Sequence, residues 1–212
     1  MAESLIDKRE RLTDYIKTQI PGFEILSKKE SLLIKVISKL LFFNKKFLTS
    51  YVTTLYPKVY VPSLPWRQEQ NAAAMATLAH EYVHLKDRKR MGLFFNFLYL
   101  FPQNLSLFSL LGVFNPWWYL CLLFLLPIPS PTRTWLEFRG YRMTLAIWSH
   151  FFEKDLNIDR FIETVVENQF AGPSYYWMFP FKKYLIKVFR KNYANLDNIP
   201  EIQEVIGVLE NN

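Results

Sequence analysis

Cysteine is almost missing from this chain: Cys121 is the only one in 212 residues. An internal disulfide is therefore excluded, and so is a cysteine-rich structural zinc site. Any metal would have to be held by histidine and carboxylate. Glycine is scarce at six residues, and none of them builds a glycine-rich phosphate loop. Zinc-finger and RNP-like spacings are absent, so the formal charge of +7 comes without a nucleic-acid motif, and no specific nucleic-acid partner is expected. Residues 1–20 are charged and helical in pattern, without the apolar stretch of a secretory signal. A reducing setting, cytoplasmic or peripheral to a membrane, is the expectation. Half of the residues are hydrophobic and 17% aromatic, which excludes disorder over most of the length. Charge itself is missing from one segment, because no Asp, Glu, Lys or Arg occurs between Arg90 and Arg133.

Histidine is rare too, with three residues, yet two of them stand in His80-Glu81-Tyr82-Val83-His84, an H-E-x-x-H pentapeptide. On a helix, residues four apart lie one above the other, so both imidazoles can converge on one metal ion. A catalytic zinc takes three protein ligands and keeps a fourth position for water, at which Glu81 can point. The run Ala72-Ala73-Ala74-Met75-Ala76 ahead of the pentapeptide favours helix. Neither Pro nor Gly interrupts residues 68–91.

The whole of 1-212 reads as one mainly α domain of α+β class. Two helices fill residues 1-48: one over 4–20, stopped by Pro21-Gly22, and one over about 31–48. Residues 51-62 are rich in β-branched and aromatic side chains and punctuated by Pro57 and Pro62. They predict one or two short strands, a small edge sheet or hairpin. The HExxH helix covers 68-90. Residues 91-132 form an apolar hairpin insert, with runs over 93–101, 105–114 and 117–126 broken by Pro102-Gln103-Asn104 and Asn115-Pro116. If one metal draws ligands from both flanks of this insert, the chain crosses a bilayer an even number of times or not at all. Two crossings need about 20 residues each, which the last run cannot supply. What remains is a hairpin with Asn115-Pro116 near its tip, either dipping into a membrane or buried in protein. Trp117-Trp118 at such a tip would suit a lipid interface.

Residues 133-212 hold a helix over 134–152, another over 159–170, a basic helix over about 181–193, and a polar tail with Pro200. Lysines recur beside apolar stripes in two places. Leu32, Leu33, Val36 and Ile37 alternate with Lys35 and Lys39, and Phe181, Tyr184 and Leu185 with Lys183 and Lys187. Each helix alone reads as core-facing with a solvated basic back, while the pair suits an anionic membrane surface.

Three residues compete to be the third ligand. Glu137 stands among bulky apolar neighbours, where a lone carboxylate would be costly to bury; the alternative is a surface carboxylate paired with Arg133 or Arg139. Asp87 shares the histidines' helix face but lies about 4.5 Å beyond His84 along the axis, a place better suited to orienting that histidine. His150 falls on nearly the opposite face of the Glu137 helix, as a structural histidine would.

The pentapeptide with a downstream helical Glu137 resembles the zincin metallopeptidases, and the gluzincin arrangement in particular. That resemblance implies Zn2+ held by His80, His84 and Glu137, with Glu81 as general base, in a zincin-like helical domain. An apolar insert between the two ligand helices is also similar to membrane-linked zinc peptidases. The blocks Thr53-Thr54, Val59-Tyr60-Val61-Pro62 and Leu78-Ala79-His80-Glu81 resemble small HExxH proteins common in phages. The sequence departs from the gluzincin pattern at Tyr141, where an Asp commonly supports a ligand histidine. For the oxyanion, the resemblance implies a His or Tyr; Tyr141, Tyr175 and Tyr176 are available, and the sequence does not choose among them. The expected function is zinc-dependent hydrolysis of a peptide or protein substrate. The alternatives are a zincin-like structural or binding protein without turnover, seated in a phage particle or on a membrane through 91-132, and a zinc hydrolase of a non-peptide bond. A membrane surface or hydrophobic protein partner is the expected neighbour of that insert.

Overall fold

The computed structural model describes residues 4–40, 47–49, 51–62, 72–152, 157–173 and 177–210. In chain order they form α1 (Leu5–Gln19), β1 (Glu24–Ser27), α2 (Leu32–Leu40), β2 (Thr53–Leu55), β3 (Lys58–Val61), α3 (Ala72–Met91), α4 (Leu93–Leu100), α5 (Pro131–Phe152), α6 (Ile158–Val165), α7 (Lys182–Tyr193) and α8 (Pro200–Glu210). Two 3-10 helices, Gln103–Val113 and Pro116–Leu125, stand between α4 and α5. The protein is mainly α with one small sheet, the predicted α+β class. Its residues group into two units, Met1–Arg90 with Asn198–Asn212, and Met91–Asp197.

In the first unit, α1 opens on a capping box. Ser4 Oγ accepts the Asp7 N–H while the Asp7 carboxylate accepts the Ser4 N–H, satisfying two orphan donors reciprocally. Leu12 and Ile16 bury its apolar side, and the helix packs on α8. Lys8 Nζ donates to the Leu209 carbonyl at 2.7 Å, satisfying one of the unpaired carbonyls of the last turn of α8. α8 itself corrects the expectation of a polar tail. Pro200 occupies its first turn, where a missing N–H costs nothing, and Ile202, Val205 and Leu209 are buried at helical spacing.

The sheet has strand order β1-β3-β2, with β1 parallel and β2 antiparallel to β3. β2 and β3 are the predicted strands of 51–62, turning at Tyr56-Pro57, whereas β1 was not anticipated. The core here joins Ile34 of α2 to Phe47 and Tyr60. α2 differs from its expected orientation. It turns Ile34 inward and leaves Leu32, Leu33 and Val36 exposed. Residues 41–46 of the predicted 31–48 helix lie outside the described residues, and 47–49 form a turn rather than helix. The first residues of the predicted 68–90 helix, 68–71, are also outside them. α3 is buried nearly all round, with Ala74, Met75, Ala76, Leu78, Ala79, Val83 and Leu85 in the core, as befits a central helix.

The second unit is built on α5, whose buried side includes Leu136, Gly140, Met143 and Ile147. An aromatic cluster ties α5 to α7 and to the π turn Val166–Phe170: Phe138 lies edge-on to Phe189 at 4.5 Å, and Phe170 meets Phe189 at 5.6 Å. α7 buries Leu185 and Phe189 and exposes Phe181 and Tyr184. α4 packs on α5, and Thr132 Oγ1 donates to the Leu98 carbonyl at 2.7 Å. Gly92 takes φ 60° and ψ −145° ahead of α4, a region that in practice only glycine occupies. The insert is a hairpin of two 3-10 arms turning at Asn115, whose side chain accepts the Trp117 N–H. The arms approach closely at Gly112, where a Cβ would run into the Tyr119 ring. A hairpin buried in this chain's own core is overturned, since Leu110, Phe114, Trp117 and Leu123 are all exposed.

Candidate metal centre

Four polar side chains interrupt the buried surface of α3: His80, Glu81, His84 and Asp87. The i, i+4 spacing stacks the two imidazoles as the sequence predicts, with ring centres 4.9 Å apart and planes at 73°. Their Nε2 atoms face each other at 3.1 Å. Two imidazole lone pairs at that distance repel unless a proton or a cation lies between them. Tetrahedral zinc with bonds of about 2.0–2.1 Å sets neighbouring ligand nitrogens roughly 3.3 Å apart, so the observed spacing fits such an ion.

Glu137, on α5, is 1% exposed, which removes its reading as a surface carboxylate. One ligand atom from each of His80, His84 and Glu137 lies within 4.8 Å of the other two, so the three buried side chains are close enough to bind a metal ion. Tyr99 of α4 donates its hydroxyl to Glu137 Oε1 at 2.5 Å. Such bonds orient ligating carboxylates and are part of most metal centres. Burial pushes the Tyr99 hydroxyl well above its ordinary range, the Glu137 charge adds to that, and nearby Arg133 opposes it only partly. Tyr99 therefore remains a donor across the neutral range. The Arg133 guanidinium lies over its ring at 4.9 Å.

Glu81 is held from the sheet. Thr54 Oγ1, on edge strand β2, donates to Glu81 Oε2 at 2.6 Å. Beside β3, Lys28 is completely buried. Its backbone N–H donates to the Val61 carbonyl at 2.8 Å, its Nζ donates to the Phe47 carbonyl at 2.7 Å, and the same Nζ sits 4.1 Å from the centre of the Phe47 ring. Burial pulls this amine down to about 8, against the opposing attraction of the Glu81 charge. A lysine thus supplies a cation, tunable near neutral pH, to the surroundings of Glu81.

The remaining predicted residues fall in different places. Asp87 is buried on α3, three residues past His84. His150 is exposed near the end of α5, against the Phe151 ring. The Tyr141 ring packs on Phe170 at 5.5 Å. Tyr175 and Tyr176 lie outside the described residues. Thr54, Tyr99 and Lys28 escaped the sequence reading. Thr54 belonged to a strand pattern and Tyr99 to an apolar run, and neither carries a local signal of what it will meet. No family model, curated protein or solved structure matches this chain.

Proposed function

We propose that this chain is a zinc-dependent metallopeptidase of zincin-like, gluzincin-type architecture. The observation that carries the reading is the convergence of two facing Nε2 atoms and a deeply buried carboxylate, next to a second carboxylate held in place by a hydrogen bond. His80, His84 and Glu137 would hold the ion. Bound zinc supplies Lewis acidity, which polarises a carbonyl and makes water easier to deprotonate. Glu81 accepts the proton of the attacking water and passes it to the leaving amine. Thr54 keeps one oxygen of that carboxylate fixed, so that the other is directed at the reaction. An extended peptide needs a sheet edge on which to pair. β2 is an edge strand and carries Thr54, which brings such an edge beside Glu81.

The test is metal analysis of the purified protein together with a peptide-cleavage assay. Wild type should carry close to one zinc per chain, and both His84→Ala and Glu137→Ala should lose it. Glu81→Gln should keep zinc and lose turnover. A zinc-replete Glu137→Ala would remove that residue from the ligand set. Full zinc occupancy without cleavage of any peptide in a broad library would favour the zincin-like scaffold without turnover.

A further inference from the structure

We propose that the hairpin between Arg90 and Arg133 docks this chain on an anionic lipid bilayer, entering one leaflet without crossing it. This docking is independent of what the metal centre does. A 3-10 helix has three residues per turn, so side chains three apart form straight ridges. Leu107, Leu110 and Val113 make one ridge of the first arm, exposed at 66%, 73% and 76%. Trp117, Leu120 and Leu123 make the matching ridge of the second, also exposed. The neighbouring ridges, from Phe108 to Phe114 and from Tyr119 to Leu125, are exposed as well. Exposed apolar side chains on two of three ridges of both arms form a patch of the kind that marks an interaction surface. It suits a fluid apolar medium surrounding the hairpin better than a partner meeting one face.

Three polar side chains of the segment find partners within it. Gln103 donates to the Ile128 carbonyl, Asn104 donates to the Phe97 carbonyl, and Asn115 caps the second arm. Helical backbone satisfies its own hydrogen bonds, the condition for entering lipid. Length decides how far it enters. Among the described residues no single helix is long and apolar enough to cross a membrane. The first arm, at about 2.0 Å per residue, reaches roughly 22 Å, short of a hydrocarbon core of about 30 Å. α4 meets that arm at a bend of 90°. An arm standing upright in the leaflet therefore leaves α4 parallel to the surface, where its exposed Leu93, Phe94, Phe97 and Leu100 can lie in the interface.

Charge selects the lipid. Where the hairpin returns, the Ser130 N–H donates to the Met178 carbonyl at 2.7 Å. Next to Met178 in sequence come Trp177, Phe181 and Tyr184, all exposed, followed on α7 by exposed Lys183, Lys187 and Lys191 at every fourth position. Aromatic rings and lysines at the base of an apolar hairpin are the composition of a headgroup boundary, and the lysines favour anionic lipid. A second copy is the poorer occupant, because the net charge of +7 repels itself.

The experiment is co-sedimentation of the full chain with vesicles of phosphatidylcholine alone and with 30% phosphatidylglycerol. Wild type should pellet with the mixed vesicles, and its tryptophan emission should be quenched by lipids brominated on the acyl chain. Leu110→Glu/Trp117→Glu, at exposed positions that leave the far-UV circular dichroism unchanged, should weaken binding at least tenfold. Lys183→Glu/Lys187→Glu should weaken binding to the anionic vesicles alone. Wild type left in the supernatant with both vesicles would overturn the proposal. So would a doubly glutamate-substituted hairpin that binds normally. A lipid-free dimer that the hairpin substitution dissociates, with no vesicle binding, would assign the surface to a second copy instead.

Discussion

In the proposed reaction Glu81 would accept a proton only with its carboxylate held toward the attacking water, and the Thr54 hydroxyl is bonded to that carboxylate. Thr54→Val removes that bond at nearly constant volume. The expected result is about a tenfold fall in kcat with zinc content unchanged, the effect of losing a hydrogen bond to a charged group worth about 1.5 kcal/mol. Steady-state kinetics beside metal analysis checks it. Lys28 gives a different kind of prediction. Its amine is drawn down to about 8 by burial, from an ordinary value of 10.5. Between those values the unfolded chain binds more protons, so stability rises with pH from about 8. Near pH 10 the rise ends, because burial raises the hydroxyls of Tyr15 and Tyr82 and their hydrogen bonds to Glu204 raise them further; the folded chain then keeps protons that the unfolded chain sheds. Thermal unfolding across pH 8 to 10 should show the rise in wild type and a flat profile in Lys28→Met. At this scale His80, Glu81 and His84 were legible because one helical turn brings them together. Glu137 was legible as a carboxylate out of place among apolar residues. Thr54, Tyr99 and Lys28 were not, since each acts on a residue distant in sequence.

Among the elements, α8 depends most on one polar junction. Glu204 accepts from Tyr15, Tyr82 and Lys86, which ties α8 to α1 and α3. Burial alone would raise the Glu204 carboxyl, but the bonds from Lys86, Tyr82 and Tyr15 outweigh it and hold the group below the ordinary carboxylate range. A lowered folded value means that this junction stabilises fully above the unfolded value of 4.5 and fades as pH falls through the folded one. Glu204→Ala leaves a buried tyrosine hydroxyl without its acceptor and should cost about 2 kcal/mol. Urea denaturation at pH 7 should show that loss, and the gap to wild type should narrow on acidification. α8 was legible in principle: Ile202, Val205 and Leu209 have helical spacing, and Pro200 marks a first turn as readily as an end. β1 was less so. Four residues carry too short an alternation to be read without the parallel partner β3.

For the whole molecule, if His80, His84 and Glu137 hold one ion as proposed, metal binding becomes a folding term. If zinc binds the folded chain alone, zinc at a hundred times its Kd should stabilise by about 2.7 kcal/mol. Calorimetry should show the Tm rising with zinc and falling with a chelator, and neither response should survive in Glu137→Ala. The sequence by itself determined the helical class, the stacked imidazoles and the uncharged segment, since each follows from spacing or composition within a short stretch. Tertiary structure alone decided that Glu137 lies within reach of both histidines, that Thr54 grips Glu81, and that the apolar arms face outward. Those outcomes depend on how distant segments pack, and packing is settled by burial and hydrogen bonding over the entire chain rather than by any local pattern.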